Sequence, residues 1–262
     1  FVKSQFKEQG NYEIQQIRNA TLKITYGDTV FLLDPWLQDK GTGFSALTVN
    51  PEMSGLKGPF DELPMPPEEI IKDVDCCLVT HIHPDHFTEE YLPKDINILV
   101  QNDIDLKKVE AFGFKNVSVI ADTGTKIGNV MIVKTPAVHG DNEQIATMMG
   151  KVSGYLLMGE KKSLYIAGDT VFYTGIEETL NRYAPNIILL NCCEATVPKG
   201  RLIMNLQDVE SVCKLCPTAT VIATHMDNVN HALLSSNDVR RFAVSRNLRQ
   251  IVVPRNGECI ER

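Results

Sequence analysis

Residues 74–86, VDCCLVTHIHPDH, decide how the rest of the chain is read. The first half, 74–80, is an apolar run that predicts a buried strand. The second half places His81, His83, Asp85 and His86 within six positions. In extended backbone, side chains two apart point to the same side, so His81 and His83 converge on one ion. Pro84 then turns the chain. Asp85 and His86 project from another direction, near the start of the next helix, and reach toward a second ion. Imidazole plus carboxylate, with no thiolate in the run, suits Zn²⁺ or a harder ion such as Mn²⁺ or Fe²⁺. The alternative is a polar loop whose histidines are incidental.

One loop does not fill two metal sites, so the metal reading requires further ligands. The chain has only six histidines, and candidates stand at three later strand ends. His139 follows VMIVKTPAV (130–138), Asp169 follows SLYIAG (163–168), and His225 follows ATVIAT (219–224). Ligands on the ends of rigid strands are what a sheet offers a catalytic site.

Around these points the pattern alternates between short strands and helices. Strands are expected at 21–26 and 29–33, joined by Gly27-Asp28, and at 130–135, 152–158, 163–167, 187–192, 219–225 and 250–253. Helices are expected at 68–73, 103–112, 174–183, 207–215 and 237–246. Residues 38–67 are rich in Gly, Pro, Ser and Met, too long for a plain connection, and predict an active-site loop. No linker separates two cores, so 1–262 is read as a single domain. Mixed sheets covered by helices are the expected architecture.

At 262 residues, 43% hydrophobic and 23% charged, the chain buries a core without disulfide or metal staples. That excludes a disordered tail, a collagen-like repeat and a membrane bundle. No apolar run approaches a bilayer span. With 26 basic and 33 acidic residues the net charge is -7, which argues against wrapping nucleic acid. Seven cysteines, four of them in the adjacent pairs Cys76-Cys77 and Cys192-Cys193, read as small buried hydrophobes in a reduced, cytoplasmic protein. No basic and then apolar leader pattern is read at the start, so a secretory signal is not expected, and Phe1 is read as having lost an initiator Met.

The H-x-H-x-D-H run, a lone later His, an Asp in a G-D-T context and a final His resemble the ligand series of the metallo-β-lactamase superfamily, in that chain order. Within it the chain looks most like the branch that includes ascorbate-6-phosphate lactonase. The Asp34-Pro35 pair, Leu63-Pro64, Pro66-Pro67 and the ending Thr224-His225-Met226-Asp227-x-x-Asn230-His231 carry that likeness. The resemblance implies a four-layer αββα sandwich with a groove along one edge of two packed sheets. It implies two divalent ions, Zn or Mn with Fe as a further option. His81, His83 and His139 would hold the first, Asp85, His86 and His225 the second, and Asp169 would bridge them. A single ion using one of the two ligand sets stays open. Asp169 stands where some β-lactamases carry a Cys ligand, so antibiotic hydrolysis is not expected. Nor is tRNA processing, for want of an RNA-binding arm and a basic surface.

Two cations about 3.5–4 Å apart would bring a shared water toward neutral pKa for attack on a carbonyl or phosphorus. Asp85 is placed to handle its proton. Asp34 reads as a carboxylate orienting a ligand histidine, the alternative being a turn former. His231, outside the ligand series, is assigned to substrate contact or proton donation, against a purely structural role. Trp36 walls a pocket or anchors the long loop, and Phe172, Tyr173 and Met204 are further candidate substrate contacts. Met148-Met149 and the Cys213-x-x-Cys216 spacing read as packing.

The expected activity is hydrolysis of an ester-like bond (lactone, ester or cyclic amide) in a small molecule. The alternatives are a phosphodiesterase acting on a small nucleotide or phospholipid, and a catalytically silent metal-binding or regulatory protein. A redox diiron protein is disfavoured by His83, which stands where a carboxylate is expected. The expected partner is a small-molecule substrate, without nucleic acid or membrane; a homo-oligomer is left open.

Overall fold

A computed structural model describes residues 12–261, so the reading of Phe1 lies outside the described residues. Two seven-stranded mixed sheets form the middle of the molecule. The first runs β16 (Cys259–Glu261), β1 (Tyr12–Arg18), β2 (Thr21–Tyr26), β3 (Thr29–Leu33), β4 (Cys76–Leu78), β5 (Asn97–Val100), β6 (Asn116–Val119). The second runs β15 (Ile251–Val252), β14 (Thr220–Thr224), β11 (Ile187–Asn191), β10 (Leu164–Ile166), β9 (Ser153–Met158), β8 (Val130–Pro136), β7 (Thr125–Ile127). Helices α1 (Pro67–Ile71) and α2 (Asp103–Ala111) cover the first sheet; α3 (Glu143–Met149), α4 (Thr174–Tyr183), α5 (Leu206–Leu215) and α6 (Ser236–Ser245) cover the second. A two-residue turn joins the small hairpin β12 (Thr196–Val197) and β13 (Gly200–Arg201).

Strand periodicity explains the layering. Phe31, Leu33, Cys76 and Leu78 point inward to meet Leu157, Ile187 and Leu189 of the other sheet, while their neighbours Leu32 and Cys77 face α1 and α2. On β11, Ile188 and Leu190 likewise face outward, onto a cluster that includes Ile176, Leu180, Val209 and Val212. Each strand is thus apolar on both faces, as inner strands of a covered sheet must be. Full burial contributes about 1.5–3 kcal/mol per large apolar side chain. Cys76, Cys77, Cys192 and Cys193 are all buried and unbridged, and Cys213 and Cys216 also sit in the core. Helix starts follow the side chains: Asn205 with Asp208 and Ser235 with Asp238 form capping boxes at α5 and α6.

Strands β3 and β4 are parallel, as are β10, β11 and β14. β8 is antiparallel to β9 and β9 to β10, so β8 runs with β10. Their carboxyl ends therefore share one rim.

The structure departs from the sequence pattern in several places. The expected strand 74–80 pairs only over Cys76–Leu78, and β1, β5, β6, β7, α3 and the β12–β13 hairpin carried too short a period to be read. Residues 38–67 hold one 3-10 turn, Pro51–Met53, and otherwise run irregularly across the rim. Among the described residues, no helix is long and apolar enough to cross a membrane.

Candidate metal centre

The rim gathers all seven residues of the expected ligand series. His81, His83, Asp85 and His86 leave β4, His139 leaves β8, Asp169 leaves β10 and His225 leaves β14. Three sets of donor atoms each lie within 4.8 Å of one another: His81, His83 and His139; His81, His86 and Asp169; Asp85, His86 and His225. His81 Nε2 is 2.9 Å from His83 Nδ1, and His86 Nε2 is 2.9 Å from His225 Nε2. Asp169 sits between the outer sets, with Oδ2 3.4 Å from His139 Nε2 and 3.2 Å from His86 Nε2.

Each imidazole is held from behind. His81 Nδ1 lies 3.0 Å from Thr80 Oγ1, His139 Nδ1 3.0 Å from the Leu202 carbonyl and His86 Nδ1 2.8 Å from Asp34 Oδ2. His225 Nδ1 faces Cys193 Sγ at 3.7 Å, and His83 is turned over, its Nε2 3.1 Å from the Met149 carbonyl. One ring nitrogen of each of these five histidines is therefore turned outward and the other left for the centre, and the carbonyl and carboxylate acceptors fix the outward N–H of His83, His139 and His86. Asn191 donates to Asp169 Oδ1 at 2.7 Å. Asp34 accepts from Thr80 N and Thr80 Oγ1, both at 2.7 Å, as well as contacting His86.

Backbone geometry serves the same end. Asp34 (φ 43) and His225 (φ 68) sit in the left-handed region, a strained choice for residues with a Cβ that recurs at functional sites. Gly168 (φ 66) precedes Asp169, where a Cβ would come within 2.9 Å of the Ser153 carbonyl.

The field in the cluster is uneven. Burial, together with the neighbouring imidazoles, holds His81 well below its ordinary pKa, lowers His83 to about 4 and also lowers His139. Burial works against a proton on His86 too, but Asp169, Asp34 and Asp85 outweigh it and raise its pKa to about 10. His225 rises for the same reason, chiefly through Asp169 and Asp85. The two central carboxylates go the other way: His86 and His225 overcome burial and keep Asp85 and Asp169 below the usual carboxylate range. Neutral imidazoles at one end, and carboxylates strong enough to hold positive charge at the other, are the donor chemistry that divalent cations require. The residues fit such ions, and among the described residues no cysteine belongs to a donor set.

A cavity of about 430 Å³ opens onto this cluster. His83, Asp85, His139, Asp169 and His231 form its floor; its walls are mainly apolar, from Phe44 and Leu47 on one side and Met148, Met149, Val197 and Leu202 on the other. Among the described residues, Lys199 is the one lysine or arginine in the lining. His231 is buried in that floor, 6.1 Å from the Phe44 ring, and its Nδ1 has no hydrogen-bond partner among the described residues.

Four expected substrate contacts do not reach the cavity. Trp36 is fully buried, its Nε1 donating to Gln38 Oε1, and it anchors the long loop. Met204 is also fully buried, and Phe172 and Tyr173 pack on the same core, with Tyr173 at the residue that precedes α4. After Asp169 the backbone runs beside Val138, with Val171 N donating to the Val138 carbonyl, and Phe172 and Tyr173 are then spent on packing against the core. In their place stand Met148 and Met149. Asn142 caps the start of α3 and Gly150 ends it, a signal legible in the sequence, but the seven-residue helix was too short to show which face it presents. The 38–67 loop does supply one wall, through Phe44, Ala46 and Leu47.

A helix–sheet–sheet–helix sandwich with histidines and aspartates converging on one rim is the metallo-β-lactamase fold. The chain belongs to the β-lactamase superfamily, whose domain model matches residues 29–226. It is 39% identical over 253 residues to UPF0173 protein YddR of Bacillus subtilis (strain 168), covering 94% of this chain and 98% of that one. A possible metal-dependent hydrolase from Veillonella parvula DSM 2008 superposes with a TM-score of 0.88 at 32% identity, over 97% of this chain and 99% of the other. An isothiocyanate hydrolase from Delia radicum gut bacteria gives a TM-score of 0.88 at 32% identity, over 95% and 98%. The chain is a metal-dependent hydrolase of this fold.

Proposed function

We propose that the chain hydrolyses a small apolar substrate at an electrophilic carbon, with two divalent cations at the rim and an organic isothiocyanate as the first candidate. The cavity carries this reading: its walls are mainly apolar and it opens onto the donor cluster, with one lysine among the described lining residues. A phosphodiester's charge would be met by the two cations, but among the described residues the walls add one lysine to it and otherwise offer apolar contact, which suits an apolar substituent better. The likeness to the isothiocyanate hydrolase, over nearly the whole of both chains, supports the same substrate class. An ester or lactone carbonyl would meet the same groups and is the second candidate.

Zn or Mn, with Fe as a third option, would be held by His81, His83 and His139 and by Asp85, His86 and His225, with Asp169 shared. When bound, the cations supply Lewis acidity and bring water to a reactive protonation state near neutral pH. The chain's own groups do the rest. Asp169, fixed by Asn191, spans the two donor sets. Asp85, within 3.2 Å of His225 Nε2, is placed to take the proton released as water adds. His231, in the cavity lining, is placed to hand a proton from its ring to the leaving nitrogen or oxygen. For an isothiocyanate the balance is R–N=C=S + H₂O → R–NH₂ + O=C=S: a C–O bond forms, the C–N bond breaks, and both water protons end on nitrogen.

The experiment is a panel on metal-loaded protein: allyl and benzyl isothiocyanate, a γ-lactone, p-nitrophenyl acetate and bis-p-nitrophenyl phosphate. Loss of isothiocyanate absorbance with amine release supports the first candidate, and lactone or acetate turnover alone moves the assignment to the second. Phosphodiester turnover alone refutes the proposal. Retained metals with no turnover on any substrate would favour a silent binding protein.

A further inference from the structure

Loop 38–67 is bolted to the segment that carries His225 and His231. Asn228 Oδ1 accepts from Phe60 N and Asp61 N at 3.1 and 2.9 Å. Asn230 Oδ1 accepts from Ala46 N at 2.9 Å, and its Nδ2 faces Ala46 O at 2.8 Å, Ser45 Oγ at 3.1 Å and Met53 O at 3.2 Å. Both asparagines are 1% exposed, so these amides meet backbone that water does not otherwise satisfy. From below, the buried Arg18 donates to Trp36 O, Gln38 O and Asp61 O. Gly58 presses on the same segment, where a Cβ would stand 2.4 Å from the Asn228 carbonyl.

What the bolts hold is one wall of the cavity. Phe44 lies between Trp36 and His231, 6.1 Å from each ring. Three residues on, Leu47 lines the cavity mouth while 76% exposed, and Met148 on the opposite lip is 51% exposed. Two exposed apolar side chains on the same opening mark a place where an apolar group is received.

We propose that Asn230, assisted by Asn228, is a positioning residue that keeps segment 44–47 as a fixed apolar wall. Leu47 and Met148 then select the organic substituent of the substrate, and the loop is a standing specificity wall instead of a lid that opens at each turnover. The selection half rests on the proposed function; the docking half does not.

Trp36 is the only tryptophan, and it lies directly beneath the loop, so its emission reports docking without any substrate. The test compares wild type, Asn230→Ala, Asn230→Asp and Leu47→Ala as metal-loaded full chains. The readouts are metal content, Trp36 emission, and kcat and KM for methyl and benzyl isothiocyanate. Asn230→Ala is expected to keep its metals, shift Trp36 emission to the red and raise the benzyl substrate's KM about tenfold with kcat little changed. Asn230→Asp retains the acceptor for Ala46 N and is expected to lie between. Leu47→Ala is expected to leave emission unchanged and raise KM for the benzyl substrate about tenfold, but not for the methyl one.

Unshifted emission with unchanged KM in Asn230→Ala overturns the positioning role, and equal effects of Leu47→Ala on both substrates overturn the selection. If Asn230→Ala fails to fold, Asn230→Asp and Leu47→Ala decide. If wild type turns over no isothiocyanate, the proposed function and the selection fall together, while emission still decides the docking.

Discussion

Asp34 is the side chain whose removal tests the architecture most sharply. Its carboxylate is 1% exposed and makes three contacts, to Thr80 N, Thr80 Oγ1 and His86 Nδ1. In Asp34→Asn the shape is kept and the left-handed backbone at φ 43 is tolerated. An amide now replaces the Oδ2 that faces His86, so donor meets donor or the imidazole turns its proton toward the centre. Losing a hydrogen bond to a charged group costs about 1.5–3 kcal/mol. Groups that orient a metal ligand are typically worth about 10–100-fold in affinity, or about 1.4–2.7 kcal/mol. The expected outcome is weakened binding at the Asp85–His86–His225 set and near-normal binding at the other. Competition with a chromophoric chelator, with ions counted per chain, reads this directly. Asp34→Ala goes further: it removes one of the three carboxylates that face His86 and leaves the buried Thr80 N without its acceptor. Destabilisation of about 1–3 kcal/mol follows, lowering the melting temperature by roughly 2–12 °C. If Asp34→Asn holds both ions as tightly as wild type, the orienting role is wrong.

His83→Ala is expected to empty the His81–His83–His139 set and abolish turnover while circular dichroism stays native, because the sheet-to-sheet core does not depend on metal; loss of the folded state would make the ion structural. Asp85→Asn should retain the fold and lower kcat by about 10²–10⁴-fold, since it weakens both ligation and proton handling; wild-type kinetics would remove Asp85 from the mechanism. His231→Ala should leave metal content unchanged and lower kcat by about 10²-fold. A compensating gain with substrates whose leaving group needs no proton would locate its role, and an equal loss on all substrates would contradict it.

The candidate site was legible to different degrees. His81, His83, Asp85 and His86 are close in sequence, so local geometry brings them together and the motif announces itself. His139, Asp169 and His225 could be named because each ends an apolar run, and strand ends are where a sheet exposes side chains. Phe172 and Tyr173 follow Asp169 closely, but nearness in sequence says nothing about where the chain packs next; Trp36 takes the second of its two readings and anchors the loop, and Met204 is spent on the core. Met148 and Met149 were passed over because the short α3 carries one buried residue, Ile145, and so shows no helical period. Asn228 and Asn230 lie inside a quoted motif, yet their partners Asp61 and Ala46 are 167 and 184 positions away.

Sequence alone determined the alternation of strands and helices, the donor set and its oxygen–nitrogen chemistry. These follow from local periodicity and from the intrinsic preferences of imidazole and carboxylate. Tertiary structure alone decided which nitrogen of each histidine faces the centre, which carboxylates raise the proton affinity of His86 and His225, and which apolar side chains wall the cavity. Those outcomes depend on contacts between segments far apart along the chain. Their partners are chosen only when the two sheets close on a shared core.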